Sequence, residues 1–157
     1  MKAHGFRVEL IQEYVKSAVY EDRKFFDDQV YIFAKQNRKQ HVMRNEVDWL
    51  ITDSPLILNG VYAHKNYFPS FAKMCIEAYH SYDNLNFLIK REKEYVELGR
   101  MQTEQEAKEI DNKVISLMLD NDIKFKTIPG TNAAPTRILN ILQALERKRE
   151  EEQEEKL

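Results

Sequence analysis

Four charged side chains in this 157-residue sequence have the types and placement that phosphoryl chemistry asks for. Asp53 closes the nearly continuous apolar run Val47–Thr52, and Glu13 follows Phe6–Ile11. Arg91 comes directly after Leu85–Ile89 and Lys90, and Arg100 lies further along the same polar stretch. A carboxylate can hold hydrated Mg²⁺, and guanidinium groups can neutralise phosphoryl oxygens in a transition state. Gln29 and Gln36 sit seven residues apart, on one face of a helical run, where their amides could meet a nucleobase edge. Every one of these side chains also has an ordinary reading. Asp53-Ser54-Pro55 equally suits the start of a helix. Glu13 suits a first-turn helix carboxylate. Arginines in a charge-rich stretch are commonly just solvated, and glutamines commonly lie on the surface. The four histidines lack ligand spacing, and Cys75 lies in an apolar helical run, as a core residue would.

The elements that would position these groups alternate along the chain. Strands are expected near 6–11, 47–52, 85–89 and 124–128, of which 47–52 and 85–89 are short apolar runs and the last is closed by Pro129-Gly130. Helical spacing marks 13–22, 27–38, about 68–80, 103–119 and the stretch after Pro129-Gly130. Thr103 and Glu106 have capping-box spacing. Strand alternating with helix predicts an α/β domain, a parallel sheet flanked by helices, and in such sheets ligands bind beyond the carboxyl ends of the strands. Glu13, Asp53, Lys90 and Arg91 all fall at those ends. The runs at 47–52 and 85–89 are apolar at nearly every position, which predicts burial on both faces and makes Val47, Trp49, Leu50, Ile51, Leu85, Phe87, Leu88 and Ile89 the expected centre of the core. One domain is expected over 1–146, with a polar segment at about 90–102 and a charged tail at 147–157 that has no apolar stripe.

Composition narrows the partners. Twenty-six acidic against 24 basic residues give a formal net charge of −2, which disfavours a nucleic-acid binder held by bulk charge. No apolar stretch approaches the ~18 residues that span a bilayer, so no membrane partner is expected. A single cysteine cannot form an internal disulfide, and a reducing, cytoplasmic setting is the default expectation.

Three stretches taken in order resemble a family: Val8-Glu9-Leu10-Ile11-Gln12-Glu13-Tyr14-Val15-Lys16, then Gln29 and Gln36, then Asp48-Trp49-Leu50-Ile51-Thr52-Asp53-Ser54-Pro55-Leu56. This set is similar to the P-loop nucleotide-kinase-like proteins of tailed phages, and Phe87 to Ala107 resembles the lid region of the same group. The resemblance covers about Gly5 to Gly130. It implies that Asp53 is the Walker B acid acting on Mg²⁺, and that Glu13 takes the acceptor hydroxyl's proton. It further implies that Arg91 and Arg100 are lid arginines on the transferring phosphates, and that Gln36 and Gln29 face the acceptor base. Mg²⁺ and ATP are the implied cofactors, with a nucleotide or similar small molecule as ligand.

One departure is large. The loop Gly-x-x-x-x-Gly-Lys-[Ser/Thr] occurs nowhere in the sequence, whose glycines are Gly5, Gly60, Gly99 and Gly130. Compared with the family, the chain reads as starting about one strand and one helix late, with the first strand and phosphate loop absent. Through the resemblance alone, the unpaired strand edge this leaves makes self-association an expectation. Three functions stay open at this point. The first is a phosphotransferase active only in a longer form. The second is a non-catalytic nucleotide-fold protein that binds a ligand or partner. The third is a helical interaction protein whose strand-end charges are incidental.

Overall fold

The computed structural model describes residues 1, 5–12, 28–92 and 103–155. Glu13, Arg100 and the expected helix at 13–22 lie outside the described residues, as does most of the segment at 90–102. The described elements are β1 (Val8–Ile11), α1 (Gln29–Met43), β2 (Trp49–Thr52), α2 (Leu58–Tyr62), α3 (Ser70–His80), β3 (Asn86–Lys90), α4 (Glu104–Asp120), β4 (Phe125–Pro129) and α5 (Ala134–Glu154). They fall into two compact units, residues 1–84 with 110–117, and residues 85–109 with 118–157.

All four expected strands form, and both pairings are parallel. Among the described residues, however, the expected sheet is two sheets of two strands, β1–β2 and β3–β4. A parallel pair needs a crossover of a dozen or more residues. Each pair here is such a strand–crossover–strand unit, with α1 in the first connection and α4 in the second.

In the first unit, β1 and β2 run in register from Val8 opposite Trp49 to Ile11 opposite Thr52. Arg7 and Asp48 fasten their amino ends. The Arg7 guanidinium donates to Asp48 Oδ1 from Nε (3.0 Å) and Nη2 (2.6 Å), and the Arg7 backbone N–H donates to Oδ2 at 2.8 Å. The pair holds the Asp48 carboxyl below its ordinary range and raises the Arg7 guanidinium, in both cases chiefly through their hydrogen bond. Asp28 caps α1, its Oδ1 accepting from Tyr31 N–H at 3.0 Å. Asn45 takes φ 75° just past the helix, a left-handed turn residue that asparagine tolerates.

The core cluster of this unit is drawn from α1, α3 and the turn before α2. Phe33, Leu56, Phe71 and Cys75 form its centre, with Phe71 1% exposed. Phe71, Cys75 and Tyr79 make a stripe at i, i+4, i+8 on α3. The Phe71 ring meets Phe33 edge-on at 6.1 Å and Tyr67 at 4.9 Å between centroids. The strand residues expected at the centre are less covered: Val47, Trp49 and Leu50 are half-buried and Ile51 is 41% exposed. In the second unit Leu85, Phe87 and Leu88 are half-buried and Ile89 is 46% exposed. The expected order is thus overturned. An apolar run makes a strand, but which of its faces is covered depends on the helices that pack there.

The second unit pairs Asn86 with Phe125 through Lys90 with Pro129. Gly130 N–H donates to Lys90 O at 2.8 Å beyond the strand ends. A Cβ on Gly130 would collide with that carbonyl oxygen, so this close approach requires glycine. Thr103 and Glu106 form the expected capping box on α4. Ala134 and Leu142 are the buried residues of α5, and residues 147–155, within or just beyond this helix, are exposed.

Candidate functional site

The carboxyl end of β2 is where backbone, buried polar groups and a candidate catalytic acid meet. After Thr52 the chain turns, with Ser54 N–H donating to Thr52 Oγ1 at 3.0 Å. Pro55 and Leu56 then lead into α2 through Leu58 N–H to Pro55 O (2.9 Å). The N-cap position of α2 is Ile57, with no side-chain cap bond. Asp53 and Ser54 therefore do not cap the following helix. The helix-start reading of this turn is not realised at Asp53 and Ser54. Asp53 is exposed just past the strand, and Ser54 is 8% exposed.

Helix α1 holds this end of the sheet at two points. Lys39 Nζ donates to Gln12 O, one residue past β1, at 3.3 Å. Gln36, 2% exposed, donates from Nε2 to Ser54 Oγ at 2.8 Å. Gln36 Oε1 accepts from Asn59 Nδ2 at 2.7 Å, and Asn59 Nδ2 also donates to Leu56 O at 3.0 Å. Ser54, Gln36 and Asn59 thus form a buried, connected network between α1, the β2 turn and α2. Burying three polar side chains is tolerable only because each is satisfied by the others.

The shared face of Gln29 and Gln36 is confirmed, and both are buried. Gln36 spends one N–H and one lone pair of its amide inside the unit, leaving one of each for anything else. Two members escaped the sequence reading. Gln40 extends the stripe by four residues and is also buried, and its Nε2 has no partner among the described residues. Asn59 is a lone amide in the run Leu56-Ile57-Leu58-Asn59. Both carried a signal: a polar residue continuing a helical stripe, and a single amide inside an apolar run.

Asp53 and Gln36 belong to the first unit, and the network brings Gln36 to the residue beside Asp53. Arg91 belongs to the second unit, exposed just after β3. No group of three or more His, Cys, Asp or Glu side chains is assembled for a metal among the described residues. A single exposed carboxylate at a strand end still suits Mg²⁺, which keeps most of its waters and shares one or two carboxylates with substrate phosphates. No described helix is long and apolar enough to cross a membrane. Comparison with family models, curated proteins and solved structures found no significant match.

Proposed function

We propose that the chain is a nucleotide-kinase-like protein of the P-loop type that binds the phosphates of a nucleotide through Mg²⁺ at Asp53. The observation that carries this reading is the β2 turn. A parallel strand ends in an acid that is not the cap of the next helix, and a buried network fixes the residue beside it. Mg²⁺ would supply charge neutralisation for the phosphoryl oxygens. Asp53 would hold it, and α1 would keep Asp53 in place by tying down the ends of both strands. The same reading gives Glu13 the acceptor's proton and the Gln29 face of α1 the acceptor.

A second reading has its own observation. The sequence holds no glycine loop to cradle a β-phosphate with backbone N–H groups, nor the lysine that follows it. Phosphoryl transfer depends almost wholly on positioning and charge neutralisation. These 157 residues are therefore proposed to bind a nucleotide with little or no turnover, as a non-catalytic nucleotide-fold module would. Calorimetric titration of the full chain with ATP, with and without Mg²⁺, tests this. Mg²⁺-dependent binding that Asp53→Asn removes supports the reading, and binding indifferent to Mg²⁺ and to Asp53→Asn refutes it.

A further inference from the structure

We infer that Asn59, working through Gln36, is a positioning residue that dedicates the Ser54 hydroxyl proton to an anionic oxygen of the ligand at Asp53; the inference rests on the function proposed above. The Leu56 carbonyl can only accept, so the Asn59 group facing it is Nδ2. The same Nδ2 donates to Gln36, so Gln36 presents Oε1 there. The other end of that amide is then necessarily Nε2, which donates to Ser54 Oγ. A backbone carbonyl thereby sets the direction of the whole chain of bonds. Ser54 is left as an acceptor toward Gln36, with its own proton to give elsewhere.

No described residue takes that proton, and the Ser54 backbone N–H is already committed to Thr52 Oγ1. The residue is more than nine-tenths buried and adjoins the exposed Asp53 at the carboxyl end of a parallel strand. Asp53 and Ser54 are consecutive in this turn, and a metal-bound phosphoryl group would engage them together, with the cation on Asp53 and an oxygen on Ser54. Gln36 is then a strut of the site, and its amide direction is what the site uses.

Asn59→Asp tests this at nearly constant size. An ionised carboxylate cannot donate to Gln36, so the amide turns over and Ser54 gives its proton inward. Full-length variants are titrated with MgATP by calorimetry, after thermal melts and Trp49 fluorescence establish that they fold. Ser54→Ala is expected to weaken binding about tenfold, the size of a lost hydrogen bond to a charged group, with recovery in Ser54→Thr. Asn59→Asp is expected to weaken it equally, with no further loss in the double variant, because both remove one interaction. If Asn59→Asp does not fold, Gln36→Glu replaces it, since its carboxylate would also capture the Ser54 proton. Unchanged affinity in Asn59→Asp or Gln36→Glu, or additive losses in the double variant, overturns the inference. Failure of the unsubstituted chain to bind MgATP, or undiminished binding by Asp53→Asn, overturns the proposed function itself and this inference with it.

Discussion

Truncating Phe71 to alanine should be far more damaging than truncating Ile51, although both are large apolar residues of the first unit. Phe71 is 1% exposed, and its ring packs against Phe33, Tyr67 and Phe68 at centroid distances of 6.1, 4.9 and 5.6 Å. Its loss forfeits transfer energy and leaves a cavity among rings fixed by other contacts, typically costing ~3–5 kcal/mol. Ile51 is already 41% exposed. Losing three carbons at ~0.8 kcal/mol each, discounted for the fraction in water, costs about 1.4 kcal/mol, with no closed cavity to add. Domains of this size hold only ~5–15 kcal/mol in total, so Phe71→Ala should sit near the edge of folding while Ile51→Ala stays comfortably folded. Urea denaturation followed by fluorescence makes the comparison. Trp49, the one tryptophan, lies on β2 in the same unit and reports its unfolding. Equal midpoint shifts, or a larger shift for Ile51→Ala, would refute the placement of the core among α1, α3 and the Leu56 segment.

Gly130→Ala should destabilise the second unit by ~1–3 kcal/mol, because the added methyl must push away the Lys90 carbonyl; amide hydrogen exchange at Gly130 should accelerate with it. Thr103→Ala removes the capping box of α4 and should cost ~1 kcal/mol of helix stability, seen as a lower melting temperature. Asp48 and Glu106 are both held below their ordinary values of 3.8 and 4.5, Asp48 mainly by the Arg7 hydrogen bond and Glu106 by the Thr103 N–H. The unfolded chain then takes up these protons first on acidification. Their stabilisation is complete above those values and is lost as pH falls through the lowered ones, so Asp48→Asn should flatten the acid side of a stability-against-pH curve. Cys75 is fully buried, and burial pushes its thiol up to about 11; iodoacetamide should label it slowly in the folded chain and readily in denaturant.

The strands were legible because short apolar runs ending in turn residues have few other ways to fold. Val8–Ile11, Trp49–Thr52, Asn86–Lys90 and Phe125–Pro129 all fall within a residue or two of expectation. The pairing was not legible. Parallel strands carry no hairpin turn to fix their neighbours, and nothing local in the sequence shows that the ladders close two by two. Burial was the weakest part. Ile51 and Ile89 look like core from composition alone, and only the placement of the helices leaves them exposed. The glutamine stripe of α1 failed for the opposite reason. Hydropathy marks Gln29, Gln36 and Gln40 as surface, whereas Ser54 and Asn59 supply the partner bonds that let Gln36 be buried. At the candidate site, the position of Asp53 just past a strand was legible. Its not being a helix cap depended on α2 starting three residues later than the Asp-Ser-Pro pattern suggests.

Paramagnetic broadening by Mn²⁺ reports whether a divalent cation is held at Asp53. Mn²⁺ is titrated into ¹⁵N-labelled full-length chain in the presence of ATP, and amide resonances are followed residue by residue. The amides of Asp53 and Ser54 are expected to broaden first, excess Mg²⁺ to restore them, and Asp53→Asn to abolish the effect. Broadening confined to the acidic stretch Glu150–Glu155, with Asp53 and Ser54 unaffected, would contradict a cation at Asp53.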